Sequence, residues 1–298
     1  MRDSMKIQRI YIAGHKLDLR FTRCCVASIR RWYPRIPIVL IRDESMGAYS
    51  TEELEKHWQV DVFKTPRRRL GYGFGKLEPL FLPTKERCLI LDSDIAFLGS
   101  VLAVLEKFDE DFIVADNPNP PEDISKYYFD LPKLRSMDPD FIFPGYIFNS
   151  GQIVATTGIL RREDFEPFLR FDEPPVHIYP NIFDFGEQGV LNYILMKKFQ
   201  LNQITLRRVP FMWWAGWLDE NRVKIRQLKR YSPYRVLVHW AGYKRHTPLD
   251  LIRNAHILRH FESLYYSRIP NVQLERKARP TGQIAKVLSD LRQKWPGF

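Results

Sequence analysis

No apolar run in the chain reaches the roughly 18 residues needed to span a bilayer as a helix, and the polar, basic first ten residues lack the apolar stretch of a signal peptide. The expected compartment is therefore the cytoplasm. Cysteine is scarce. Cys24 and Cys25 are adjacent, and Cys88 lies in an apolar run. That spacing offers neither a disulfide framework nor a metal-thiolate site, so buried reduced thiols are expected. Internal repeats and low-complexity segments are also absent, and 45% hydrophobic with 27% charged residues is globular composition rather than disorder.

Acidic residues are missing from one region in particular. Residues 222–298 hold 17 Lys/Arg against 4 Asp/Glu, whereas the preceding 221 residues hold 29 against 31. The formal charge of +11 thus belongs to the C-terminal quarter. Such asymmetry suits an anionic surface, whether membrane headgroups, an acidic glycan or nucleic acid, and is also compatible with a solvated basic face.

The pattern present is that of alternating strands and helices. Residues 9–14 (RIYIAG), 36–42 (IPIVLIR) and 87–92 (RCLILD) are near-continuous apolar runs, as expected for strands buried on both faces of a parallel sheet. Helical spacing over 17–33 ends before Pro34, and shorter helices are predicted at 50–57 and 75–82 with a strand at 60–64 between them. Further strands are predicted at 147–155 and 235–240, and helices at 186–198, 249–264 and 282–295, with a basic linker at 270–280. Residues 117–146, rich in proline and aromatics, are expected to form a long connection or lid. This alternation means an α/β fold with a mostly parallel central sheet flanked by helices. The expected organisation is a catalytic domain over 1–248 and a basic helical C-terminal extension over 249–298.

Ligands of open parallel sheets bind at the carboxyl ends of the strands. The run 87–92 ends in Asp92-Ser93-Asp94. Side chains alternate along a strand, so both carboxylates project to one side, where two hard oxygen donors suit Mn²⁺ or Mg²⁺ together with phosphate oxygens. Solvated turn residues or the site of an Asp-x-Asp phosphohydrolase give the same pattern. The phosphohydrolase site normally follows the first strand, however, and here at least two strands precede it. His239 ends an apolar strand and is followed by Gly242 and Lys244. It can be a third metal ligand, with Gly242 admitting a phosphate and Lys244 neutralising it, or a hydrogen-bonded core histidine. Asn149, Ser150 and Gly151 form either a turn or a set of donors for sugar hydroxyls. Glu187 and Gln188 open a helix, as a cap or as sugar contacts.

Taken in order, Asp-x-Asp, Phe-Asn-Ser-Gly, acid-Gln-x-x-Leu-Asn and His-Trp-x-Gly-x-Lys resemble the glycogenin-like branch of the family-eight glycosyltransferases. The resemblance spans roughly residues 9–245. It implies a GT-A fold, Mn²⁺, and transfer of a hexose with retention from a nucleotide-diphosphate sugar, with UDP the favoured carrier. It further implies that Asp92, Asp94 and His239 hold the metal and that Lys76 reaches the donor sugar and phosphate. Asn149, Ser150 and Asp116 would contact the sugar, Gln188 would lie beneath the anomeric carbon, and Lys244 would meet the pyrophosphate. Retention without an obvious strong nucleophile implies attack from the same face as departure, with the diphosphate as base; Glu187, standing where the family usually has Asp, is the alternative, as a covalent nucleophile. The lysine after the histidine is one position closer than in the common pattern, and residues 12–15 lack the usual Thr/Asn-rich base pocket. The expected acceptor is a glycan or lipid-linked glycan, with residues 249–298 on the inner, anionic face of a membrane. A nucleic-acid-binding role is the rival reading, and no recognised motif supports it.

Overall fold

The computed structural model describes residues 6–71, 73–117, 121–183, 186–242 and 248–270. The first half contributes β1 (Arg9–His15), α1 (Leu19–Trp32), β2 (Ile38–Asp43), α2 (Glu52–Trp58), β3 (Val60–Val62), β4 (Arg87–Asp92), β5 (Ile95–Phe97), α3 (Leu102–Leu105) and β6 (Phe112–Ala115). Next come α4 (Pro121–Tyr127), α5 (Leu131–Met137), β7 (Gln152–Thr156), β8 (Leu169–Arg170), β9 (Val176–His177) and α6 (Gln188–Gln200). The remainder supplies β10 (Leu206–Val209), β11 (Met212–Trp214), α7 (Ile225–Arg230), β12 (Leu237–His239) and α8 (Ala255–Tyr266).

Seven strands form the central sheet in the order β10-β6-β7-β4-β1-β2-β3. All pairings are parallel except those of β7, which runs antiparallel to β4 and β6. The three apolar runs expected as central strands are β1, β2 and β4, and they lie side by side because only such positions can bury both faces. From β1 the chain first moves outward to β2 and β3, then returns to place β4 on the other side of β1. That reversal makes a switch point, with Ala13 in register with Asp92.

A second sheet, β11-β12-β5, brings the end of β12 to the acidic turn. β5 follows directly from the Asp92-Ser93-Asp94 turn and pairs antiparallel with β12, with His239 opposite Ile95. The backbone is tightened further where Trp240 N donates to Asp94 O at 3.0 Å. A histidine nearly 150 residues downstream is thereby held beside the acidic turn.

Several expectations shift. The strand predicted over 147–155 begins only at Gln152, because the Asn192 side chain takes both backbone groups of Phe148 (3.0 and 2.9 Å) in place of a neighbouring strand. The connection 117–146 contains α4 and α5, the latter capped by Asp130 accepting from Lys133 N at 3.1 Å. The amphipathic segment at 249–264 is a 3-10 turn (Leu249–Leu251) followed by α8, with Asn254 between them at φ 59°. α8 packs across α1, burying Ile257, Leu258, Phe261 and Tyr265 in the same core as Ile10, Val26 and Leu40. The apolar face expected to meet a membrane is therefore occupied by the protein's own core as far as α8 extends. The predicted final helix, and the linker beyond Pro270, lie outside the described residues.

Candidate active site

A cavity of about 390 Å³ opens at the carboxyl ends of β1, β2 and β4. One side comes from the ends of β1 and β2, including Gly14, His15, Asp18 and Asp43, and the opposite rim from Trp214, Gly216, Trp217, Ala241 and Gly242. The floor between them carries Lys76, Asp92, Asp94, Asn149, Ser150, Glu187, Gln188 and His239.

Asp92, Asp94 and His239 present ligand atoms that all lie within 4.8 Å of one another. His239 Nε2 is 3.1 Å from Asp94 Oδ1 and 3.8 Å from Asp92 Oδ2. Two carboxylates and one imidazole converging on one point fit a divalent cation of the Mn²⁺ type, since oxygen donors predominate. Space is kept for this convergence by Gly151. A Cβ there would fall 2.5 Å from His239 Cε1 and 2.6 Å from Asp92 Oδ2. Gly151 O in turn accepts from Asp92 N at 2.7 Å, so the glycine both clears and anchors the acidic turn. The Trp214 ring stacks on His239 (centroids 5.2 Å apart, interplanar angle 26°) and fixes the imidazole plane.

Beside the acidic turn is a buried polar network. Lys76 enters from a 3-10 helix (Phe74–Phe81) and is almost fully buried. Its Nζ meets Asp92 Oδ1 at 2.7 Å, Glu187 Oε1 at 2.8 Å and Ser150 Oγ at 3.2 Å, which engages all three of its N–H bonds. Burial by itself would lower the Lys76 pKa, but Asp92 and then Glu187 outweigh it and hold the ammonium well above the ordinary lysine value. Ser150 Oγ donates to Glu187 Oε1 at 2.6 Å. Gln188 Oε1 accepts from Asn149 Nδ2 at 2.9 Å and from Ser150 N at 3.1 Å, while its Nε2 donates to Tyr127 O at 3.2 Å.

Glu187 precedes α6 but makes no side-chain cap. Its carboxylate turns instead toward Lys76 and lies against Gly73, where a Cβ would sit 1.8 Å from Oε2. Gly73 also has φ 80°, so both space and backbone require glycine there. The extra methylene of Glu relative to Asp is accommodated by this gap.

The structure thus brings together Lys76, Asp92, Asp94, Asn149, Ser150, Glu187, Gln188, His239 and Gly242. Asp116 is not among them. It follows β6, forms an exposed ion pair with Arg208, and is not among the residues lining the cavity. Lys244 lies outside the described residues. Sequence reasoning passed over the His15–Asp18 pair (3.1 Å), Asp43, and the two tryptophans of the rim. The dense aromatic stretch FMWWAGWL at 211–218 was the available signal for the last of these.

No family model and no curated protein matches the chain. Among solved structures it is similar to WbbM, a bifunctional glycosyltransferase in its apo form, at 12% identity and a TM-score of 0.55. That match covers 89% of this chain and 52% of WbbM, so the chain spans about half of that protein. It is also similar to the galactosyltransferase LgtC in complex with donor and acceptor sugar analogues (14% identity, TM-score 0.50, covering 93% of this chain and 99% of that one). An active-site mutant of LgtC gives 14% identity and a TM-score of 0.51, covering 90% and 98%. The fold is GT-A. At these identities the likeness is one of fold, and neither the phosphohydrolase nor the nucleic-acid reading is favoured by it. Within this GT-A sheet, the Asp92–Asp94–His239 group sits at the switch point between β1 and β4.

Proposed function

We propose that the chain is a divalent-metal-dependent glycosyltransferase that moves a hexose from a nucleotide-diphosphate sugar, UDP-linked by preference, to an acceptor hydroxyl with retention. One observation carries this reading. The Asp92–Asp94–His239 cluster and the Lys76–Glu187–Ser150–Gln188 network share the floor of one cavity at the switch point of a GT-A sheet. A family-eight, glycogenin-like relationship is the finer form of the same proposal and rests on motif order.

In this reaction the bond between the sugar C1 and the diphosphate oxygen breaks, and its electron pair leaves on the diphosphate. The acceptor oxygen forms the new bond to C1, and its proton passes to the departing diphosphate, which leaves from the same face. A divalent cation held by Asp92, Asp94 and His239 would supply Lewis-acid neutralisation of the developing charge. Lys76 has all three N–H bonds engaged, so its role in this reading is to orient Asp92 and Glu187 rather than to reach the donor. Asn149, Ser150 and Gln188 would form the sugar-side wall. Glu187 is ion-paired and buried, an arrangement that favours support of this wall over covalent attack. For the acceptor we propose a glycan or lipid-linked glycan at an anionic membrane surface, met by the exposed basic residues after 221.

A thermal-shift panel of nucleotide sugars with and without Mn²⁺ tests the proposal. One sugar nucleotide is expected to raise the melting temperature only when Mn²⁺ is present, and to be consumed with release of its nucleoside diphosphate. Absence of any metal-dependent stabilisation across UDP-, GDP- and ADP-sugars would overturn it.

A further inference from the structure

Trp217 is 63% exposed, although it lines the active-site cavity. An indole left in water at a cavity mouth forgoes the burial that most tryptophans obtain, so its placement calls for a physical cause. The turn that presents it is firmly built. Trp217 N and Leu218 N both donate to Trp214 O (3.2 and 3.0 Å), and Ala215 N donates to His239 O at 2.9 Å. The buried Asn254 side chain donates to Ala215 O and to Leu218 O, each at 2.9 Å, and Arg253 Nη1 donates to Gly216 O at 2.6 Å. Trp214 meets Trp217 edge to face at 6.3 Å while stacking on His239. A continuous aromatic path therefore runs from the candidate metal ligand to the exposed ring.

Among the described residues the ring stands open at the cavity mouth. The lining on this side includes Gly216, Ala241 and Gly242, and a Cβ at Gly242 would meet none of the described residues within 4 Å. The three sides of the cavity divide by chemistry. The switch-point side takes the nucleotide by the general rule for such sheets. The Asn149–Gln188 wall offers hydrogen bonds, and the third side offers an aromatic surface with small neighbours. The apolar C–H face of a pyranose fits such a surface, whereas a diphosphate does not.

We infer that Trp217 is the platform on which a neutral pyranose of the acceptor stacks, orienting its hydroxyl toward the metal-centred floor. The inference rests on the glycosyltransferase reading for the word acceptor, and on the turn geometry for the site itself.

Saturation-transfer difference NMR on the full chain with lactose, maltose and cellobiose tests it, alongside a UDP–Mn²⁺ titration of the same samples. Wild type is expected to transfer saturation to at least one of these sugars. Trp217→Ala should weaken that binding at least about tenfold, and Trp217→Phe should retain part of it, with UDP–Mn²⁺ affinity unchanged in both. Asp94→Asn should lose the UDP–Mn²⁺ binding and keep the saccharide signal. No saccharide signal in wild type, or an undiminished one in Trp217→Ala, would overturn the inference. So would an equal loss of UDP binding, which would make Trp217 a nucleobase platform. Failure of wild type to bind UDP–Mn²⁺ while saccharide still binds would strike the reaction class instead.

Discussion

A methyl group at Gly151 would enter the space between His239, Asp92 and Asn149, with the nearest atoms at 2.5, 2.6 and 2.7 Å. Backbone and ligands must then move apart, so Gly151→Ala is expected to weaken Mn²⁺ binding by about 10–100-fold, as read by calorimetric titration. Asp94→Asn preserves shape and removes charge. It should abolish turnover and metal-dependent nucleotide binding while circular dichroism and melting stay close to wild type, and full activity would refute the metal assignment. Lys76 answers a different question. Removing it leaves Asp92 and Glu187 facing each other with little solvent, so Lys76→Met is expected to cost about 3–5 kcal/mol in denaturant melts. Because the folded ammonium titrates above its unfolded value, its stabilisation is complete below about pH 10.4 and is lost only as pH rises through the folded value. The deficit of the variant should therefore be constant between neutral pH and that limit.

The secondary elements divide according to how local their determinants are. β1, β2 and β4 were legible because a strand buried on both faces must be apolar throughout. β5, β6, β10 and β11 have three or four residues each, too short to show a period of their own, and they exist because strands elsewhere in the chain supply their ladders. α8 was legible as an amphipathic helix, but amphipathicity does not say what covers the apolar face. The partner proved to be α1, and α2 adds to it, with Tyr265 stacked on Trp58 at 5.0 Å and its hydroxyl donating to Glu53 at 2.6 Å. Phe261, on the same helix, is fully buried in the core. Phe261→Ala is expected to destabilise by about 3–5 kcal/mol in urea titration, the mark of a core helix. A negligible loss would indicate that α8 is peripheral.

Across the whole molecule the charge asymmetry remains, and its proposed partner is an anionic bilayer. Because the apolar face of α8 is occupied, attraction from the described residues after 221 comes mainly from exposed Lys and Arg. Sedimentation with phosphatidylserine vesicles should therefore fall sharply between about 0.1 M and 1 M salt, as the screening length shrinks from about 10 to 3 Å. Salt-independent binding would refute an electrostatic attachment. The sequence by itself determined the α/β class, the apolar strands and the identity of the acidic pair, because these depend on composition and period within a few residues. Tertiary structure alone decided which residues became neighbours. The β5–β12 register brought His239 to Asp94, Asn192 displaced the start of β7, and Arg208 met Asp116 in an ion pair. It likewise left Trp217 at the rim. Each of these outcomes depends on atoms far apart in the chain meeting within a few ångströms, a condition that local pattern does not encode.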